Sequence, residues 1–387
     1  MTPRDIFLLD MDSVLVRPLG YRAALKATVD HFRARMGLPA GPPTDAEIDV
    51  FEAHGFGSEW HSAPACVAAL LAEAGAAHPD VWRATLDATL AAIARAALPV
   101  PRPDYAGVIR AIEAQPGQPG ALAPLRALAY FTSRTPPQAR LALEALLAHT
   151  YDIRAPATRV FQHYTLGSAR FSQVYGFGPD FDAESTLMTL DEALLSDAGR
   201  RLLRDSRVPH AVYTARPSLP PTPADAIGYA PEAEMGCALV GLDGAPVIGY
   251  GHVSWLARRH GAHPDAYTKP SPVQALAAVG AALATGREGA AAALESARAL
   301  VEGGKVAGPL AALGGDSEGV RISVFEDTPG GALAVRRAGE VLRAAGLPVT
   351  VRVVGVGATP VKRRSLEPVA DILTADVNEA LRLALTG

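Results

Sequence analysis

The sequence predicts an α/β protein built on a parallel sheet covered by helices on both faces, with a long helix-rich module inserted after the first strand. Three observations lead there. Apolar runs closed by polar turns alternate with helix-period segments through residues 205–387, the pattern that right-handed strand–helix–strand crossovers require. The run Ile6-Phe7-Leu8-Leu9 has no polar face, as in a strand buried on both sides. Between it and the next convincing strand lie roughly 190 residues of helical character, long enough for a separate module. The expected boundaries are a core formed by 1–17 and 205–387 and an insert at 18–204.

The elements follow in order. Behind the first strand, residues 20–36 space Tyr21, Leu25, Val29 and Phe32 by four, four and three, and Gly37 stops that helix. Residues 45–53, 64–74 and 80–97 read as helices separated by Pro and Gly, and 117–120 (Gly-Gln-Pro-Gly) as a loop. Residues 122–132 fit a helix or a strand, and Thr135-Pro136-Pro137 caps a helix at 138–148. Strand 211–213 ends in Thr214-Ala215-Arg216-Pro217. A loop follows at 220–223, then short strand candidates at 238–240 and 247–248. Residues 264–269 lead through Pro270-Ser271-Pro272 into a helix from Val273. The Ala/Gly-rich stretch 281–313 is helical in its middle and broken by Gly303-Gly304, with Gly314-Gly315 beyond it; no Gly-Lys-Ser/Thr follows, so it is no phosphate loop. Strand 321–325 runs into Glu326-Asp327-Thr328-Pro329-Gly330-Gly331 and a helix at 332–345. Strands at 349–354 and 370–373 and a helix at 377–385 complete the chain.

Composition narrows the function. A chain of 387 residues with 49% hydrophobic and 20% charged residues builds a sizeable core. A net charge of -4 gives no electrostatic case for nucleic acid, so a small phosphorylated molecule is the expected partner once the acids below are considered. Cys66 and Cys237 form no metal or disulfide framework. Asp5 and Asp10 interrupt any signal-peptide run and no segment is long and apolar enough for a membrane span, so the expectation is a cytoplasmic protein without membrane attachment.

The chemistry-bearing residues fall at strand ends, where parallel sheets gather their sites. Asp10 and Asp12 sit side by side after the first strand. Asp10 is the candidate nucleophile, since a carboxylate can attack phosphorus and split one hard displacement into two easier ones. Asp12 is the candidate acid and base, protonating the leaving alkoxide and then deprotonating water. Thr214 and Lys269 offer a hydroxyl and an ammonium to the charged phosphoryl oxygens. Asp10, Glu326, Asp327 and the backbone carbonyl of Asp12 offer hard oxygens to Mg2+. Each has a plainer reading: an acidic turn for Asp10 and Asp12, a solvated lysine for Lys269, a helix-start cap for Glu326-Asp327. Thr132, in Phe131-Thr132-Ser133-Arg134, rivals Thr214. Phe161, His163, Tyr164, Phe171, Tyr175 and Phe177 read as core packing, or as site-facing together with Arg159 and Arg170.

Asp10-Met11-Asp12, Val212-Tyr213-Thr214-Ala215-Arg216-Pro217, Lys269-Pro270-Ser271-Pro272 and Phe325-Glu326-Asp327-Thr328-Pro329-Gly330-Gly331 occur in the order of the four motifs of the haloacid dehalogenase superfamily. The Glu-Asp pair most resembles the branch of β-phosphoglucomutase and phosphoglycolate phosphatase. Gly355-Val356-Gly357 with Lys362-Arg363, and Ala370-Asp371-Ile372-Leu373, resemble the end of such a core. The resemblance implies a Rossmann-like three-layer core, an enlarged helical cap, magnesium, and a phosphoric monoester hydrolase working through an aspartyl-phosphate. A sugar phosphomutase and a non-catalytic phosphometabolite-binding or regulatory protein are the alternatives. Three features depart from the family: Ser13 stands where Gly or a small residue is usual, the insert is long, and so is the Lys269–Asp327 span.

Overall fold

The computed structural model describes residues 4–54, 56–97, 99–115, 123–222, 224, 226–284, 286–315 and 318–386. The loop expected at 117–120, and residues 122 and 223 of two other expected segments, lie outside the described residues. The chain divides into two compact units. One comprises Met1–Pro18, Gln173–Phe177 and Asp191–Gly387, the other Leu19–Ser172 and Gly178–Leu190.

The first unit is an α/β, Rossmann-like core. Its strands are β1 (Arg4–Leu9), β2 (Val16–Arg17), β3 (Glu192–Ala193), β4 (His210–Tyr213), β5 (Val247–Ile248), β6 (Val320–Glu326), β7 (Val349–Val356) and β8 (Ile372–Thr374). Among the described residues, six of them form one sheet in the order β5-β4-β1-β6-β7-β8, every pair parallel. The chain runs outward from β1 through β4 to β5 and then returns to β6 on the other side of β1. The order therefore reverses at β1, the place where open α/β sheets leave a crevice beyond the strand ends.

The period-two alternation of strand side chains explains why β1 has no polar face. Ile6 and Leu8 join a core with Tyr213, Ile322, Val324 and Val353 on one side of the sheet. Phe7 and Leu9 join Val212, Phe325, Val354 and Leu381 on the other. Each such fully buried side chain contributes about 1.5–3 kcal/mol.

Helix Pro272–Leu283 starts at Ser271, whose hydroxyl accepts the Val273 N–H, with Pro272 at its first position. The Ala/Gly-rich stretch forms helix Gly286–Gly303 and a 3-10 segment, Gly308–Gly315. Its role is packing: Ala290, Ala293, Leu294, Ala297 and Leu300 belong to the same core as Ile6. A Cβ on Gly280 would lie 3.0 Å from the Ala293 Cβ, so small residues set how closely the two helices approach. A tighter contact occurs at Gly251 in helix Tyr250–His260, where an added Cβ would stand 1.8 Å from the Ser218 carbonyl oxygen. Since that neighbour is backbone, Gly251→Ala is expected to lower stability by about 1–3 kcal/mol, read as the shift in a urea unfolding midpoint.

The structure departs from the sequence-based outline in several places: the helix expected at 80–97 is a 3-10 turn at Pro79–Val81 followed by a helix at Leu86–Ala96 that starts on the Thr85 cap. Residues 238–240 do not form a strand: helix Glu232–Leu239 takes 238 and 239, and Gly241, at φ +70°, follows it. Glu, Met and Ala favour helix there, and the β-branched Val240 alone cannot reverse that. Residues 122–132 settle as helix Ala123–Thr132. The return to the core unit falls at Asp191 rather than 205, because helix Asp197–Ser206 belongs there. The Ser196 N–H and hydroxyl both donate to Asn378 Oδ1, at 2.9 and 2.8 Å, which ties the helix start to the C-terminal helix Val377–Thr386.

Every regular element described in the second unit is helical. Helix Asp45–Ala53 begins with a capping box, in which Thr44 and Glu47 satisfy each other's backbone N–H. Leu25, Val29, Phe32, Phe51, Leu70 and Leu146 are fully buried. His163 is also buried and stacks on Phe171 at 3.6 Å, whereas Tyr175 and Phe177 belong to the first unit. No helix among the described residues is long and apolar enough to cross a membrane.

Candidate active site

The parallel register sets Leu9 opposite Val212 on β4 and opposite Phe325 on β6. The residues that follow these three strands therefore share one edge of the sheet. Asp10 continues the pairing by donating its N–H to the Phe325 carbonyl at 3.0 Å.

Lys269 reaches this edge from a loop. Its Nζ lies 2.7 Å from Asp10 Oδ1, 2.5 Å from Glu326 Oε1 and 3.9 Å from the centre of the Tyr213 ring. Gln274, fully buried in the first turns of the following helix, fixes the approach. Its Oε1 accepts the Lys269 N–H at 3.2 Å, and its Nε2 donates to the carbonyls of Thr214 and Ile248 at 2.7 and 3.1 Å. One amide thus ties the lysine loop to the ends of β4 and β5.

Glu326 serves two neighbours. Oε1 faces Lys269, while Oε2 accepts the Thr328 N–H and hydroxyl, both at 2.9 Å. Thr328 in turn caps helix Pro329–Ala344. The helix-start reading of the Glu-Asp pair therefore describes Glu326 in part. A Cβ on Gly331 would fall 1.6 Å from Glu326 Oε1, so only glycine lets the helix start this close to the carboxylate.

Asp327 is held by the Lys362 ammonium, which also donates to the Ser13 hydroxyl at 2.7 Å. Ser13 has φ +62°, a left-handed conformation in which a glycine would be unstrained.

Ligand oxygens of Asp10, Glu326 and Asp327 lie within 4.8 Å of one another, and all three residues are buried. Burial, then repulsion from Glu326 and Asp327, holds the Asp10 carboxyl well above its usual range despite Lys269. Burial and Glu326 push Asp327 up to about 6 against the pull of Lys362. Burial disfavours the Lys269 ammonium, but Asp10 and Glu326 outweigh it and keep the lysine protonated well above its usual range. Three close carboxylates are a hard-oxygen donor set that can hold a metal ion.

That arrangement sets a sign for pH. An acid whose folded pKa exceeds its unfolded value stabilises the fold in its protonated form, so the metal-free protein should lose stability as pH rises from about 4 through 6. A divalent cation held by these acids would take the proton's place, and added Mg2+ is then expected to raise the melting temperature above pH 6 and to have little effect at pH 4. Melting curves with EDTA or Mg2+ across that range measure both.

The Asp12 carboxylate pairs with an arginine. Its Oδ1 accepts from Arg216 Nε at 2.9 Å and Nη2 at 2.6 Å, and Arg216 Nη2 also reaches Asp191 at 2.9 Å. Thr214 is buried at the end of β4, with its hydroxyl accepting the Arg216 N–H at 3.1 Å. Thr132 ends a helix of the other unit and donates to the Leu128 carbonyl at 2.7 Å, far from any strand end in sequence. Arg159 pairs with Asp180 within the second unit.

Sequence reasoning missed Gln274 and Asp191 and gave Lys362 and Arg216 no function. Lys362 and Arg216 stood inside quoted motifs; Gln274 and Asp191 carry no signal beyond being polar.

No family model and no curated protein matches the chain. Among solved structures, the X-ray structure of Northeast Structural Genomics Consortium target ZR25 is 14% identical over 100% of this chain and 98% of its own, with a TM-score of 0.64, a likeness of fold. A phosphatase, Tt82 from Thermococcus thioreducens, is 16% identical over 99% of both chains with a TM-score of 0.46, too slight a likeness to carry an argument.

Proposed function

We propose that the chain is a magnesium-dependent phosphatase of the haloacid dehalogenase type that hydrolyses a small phosphate monoester through an aspartyl-phosphate on Asp10. The observation that carries this reading is the Lys269 ammonium bridging Asp10 and Glu326 beside Asp327 at the carboxyl edge of the central strands. A surface lysine has no cause to be buried among acids. A lysine that screens an anionic nucleophile and then binds phosphoryl oxygens does.

In the first step an Asp10 carboxylate oxygen attacks phosphorus and the bond to the leaving oxygen breaks, that oxygen taking the proton carried by Asp12. In the second step Asp12, now a carboxylate, removes a proton from water as the water oxygen attacks phosphorus. The Asp10–phosphorus bond breaks and inorganic phosphate leaves. Lys269 and the Thr214 hydroxyl donate to the equatorial oxygens as charge builds on them. Mg2+, held by Asp10, Glu326, Asp327 and the backbone carbonyl of Asp12, would neutralise phosphoryl charge so that an anionic nucleophile can approach.

The test is phosphate release from a panel of phosphorylated metabolites with Mg2+ or EDTA. Magnesium-dependent release from some member is expected; no release from any member overturns the reading.

A further inference from the structure

We propose that Arg216 and Asp191 are positioning residues that hold the Asp12 carboxylate by one oxygen and leave the other for proton transfer. This rests on the phosphatase reading above and deepens it.

The Arg216 side chain is 1% exposed and that of Asp191 2%, while Asp12 keeps 34%. Two guanidinium N–H groups converge on the same atom, Asp12 Oδ1, at 2.9 and 2.6 Å. No hydrogen bond reaches Oδ2 among the described residues. A bidentate pair spread over both oxygens would bind the carboxylate more symmetrically; this arrangement instead distinguishes the two oxygens.

The surroundings are built to keep it so. Arg216 Nη2 is shared with Asp191 Oδ2 at 2.9 Å, which gives the guanidinium a second carboxylate partner. Asp191 is fixed by the chain beyond it: β3 pairs with β2, Val16 opposite Ala193 and Arg17 opposite Glu192, and the Leu194 N–H donates to the Leu15 carbonyl at 2.8 Å. The turn carrying Asp12 and the segment carrying Asp191 are thus clamped together around one arginine. Gly236 leaves the room, since a Cβ there would lie 2.3 Å from Met11 Sδ and 3.4 Å from Arg216 Nη1.

Buried ion pairs of this kind are weak sources of stability, because desolvation offsets their attraction. Orientation is what the triad supplies. A proton on a fixed Oδ2 meets the leaving oxygen and later the water in one geometry, and general acid–base catalysis depends on that geometry.

The test uses p-nitrophenyl phosphate, whose leaving group departs without a proton, so only the second step needs Asp12. In Arg216→Ala a burst of nitrophenolate near the wild-type formation rate is expected, followed by a steady state at least about 10²-fold slower. Asp12→Asn should behave alike, Arg216→Lys should recover part of the steady state, and Asp191→Asn should lose less than Arg216→Ala in that same phase. Burst amplitude counts correctly folded sites, and Arg216→Lys and Asp191→Asn cover the case in which Arg216→Ala does not fold. The proposal is overturned by an unchanged steady state in Arg216→Ala, Arg216→Lys and Asp191→Asn, or by burst and steady state falling together. A wild type that releases no nitrophenolate overturns the phosphatase reading and this inference with it. A wild type that turns over while the variants match it overturns the inference alone.

Discussion

Asp10→Asn is expected to abolish phosphate release, by at least about 10⁴-fold relative to the parent chain. An amide of the same shape cannot attack phosphorus, so the loss is chemical and substrate binding should survive it. Stability argues the same way. Burial beside Glu326 and Asp327 already penalises the ionised Asp10, so a neutral amide at that position should leave the metal-free melting temperature at pH 8 equal or higher. The two readouts together separate a lost nucleophile from a collapsed site. Retention of more than about 1% of the activity by the purified variant contradicts the assignment of the nucleophile, whatever the substrate.

Lys269→Met is expected to have the largest effect on the fold. It strips two buried carboxylates, Asp10 and Glu326, of the ammonium that faces both at 2.7 and 2.5 Å. Removing one partner of a buried ion pair typically destabilises by about 3–5 kcal/mol, because the remaining charge stays desolvated. The loss should be greatest at pH 8 and shrink toward pH 5, since Asp10 binds a proton readily when its counter-charge is gone. Activity should fall by about 10²–10³-fold from the missing donor to the phosphoryl oxygens. Urea unfolding at the two pH values, with EDTA present, measures the first effect. A midpoint unchanged at pH 8 would show that the lysine does not balance the acids.

The core was legible where burial forces a pattern. β1 shows four apolar residues in a row because both of its faces are covered, while β6 and β7 carry Arg321, Ser323, Thr350 and Arg352 among their apolar residues. The placement of Asp10, Thr214, Glu326 and Asp327 at one sheet edge was legible because a strand end fixes where such residues sit. Lys269 was legible through the Pro-Ser-Pro that starts the next helix. What escaped notice is what depends on partners distant in the chain. β2 and β3 are two residues each, too short for a period. Asp191 acquires its role only through Arg216, and Lys362 only through Asp327 and Ser13. The helix Glu232–Leu239 shows the converse: three apolar residues at 238–240 imitate a buried strand, and the helix-forming residues before them decide the outcome.

The placement of β1 between β4 and β6 bears on how the chain is made. More than 300 residues separate Leu9 from Val320, so at about 5–20 residues per second a ribosome needs about 15–60 s to deliver the second neighbour of this strand. During that interval Ile6-Phe7-Leu8-Leu9 has an open edge and two sticky faces. Co-translational chaperone capture of the nascent segment around β1, and aggregation of fragments truncated before residue 320, follow from a centre strand that is synthesised more than 300 residues ahead of its second neighbour.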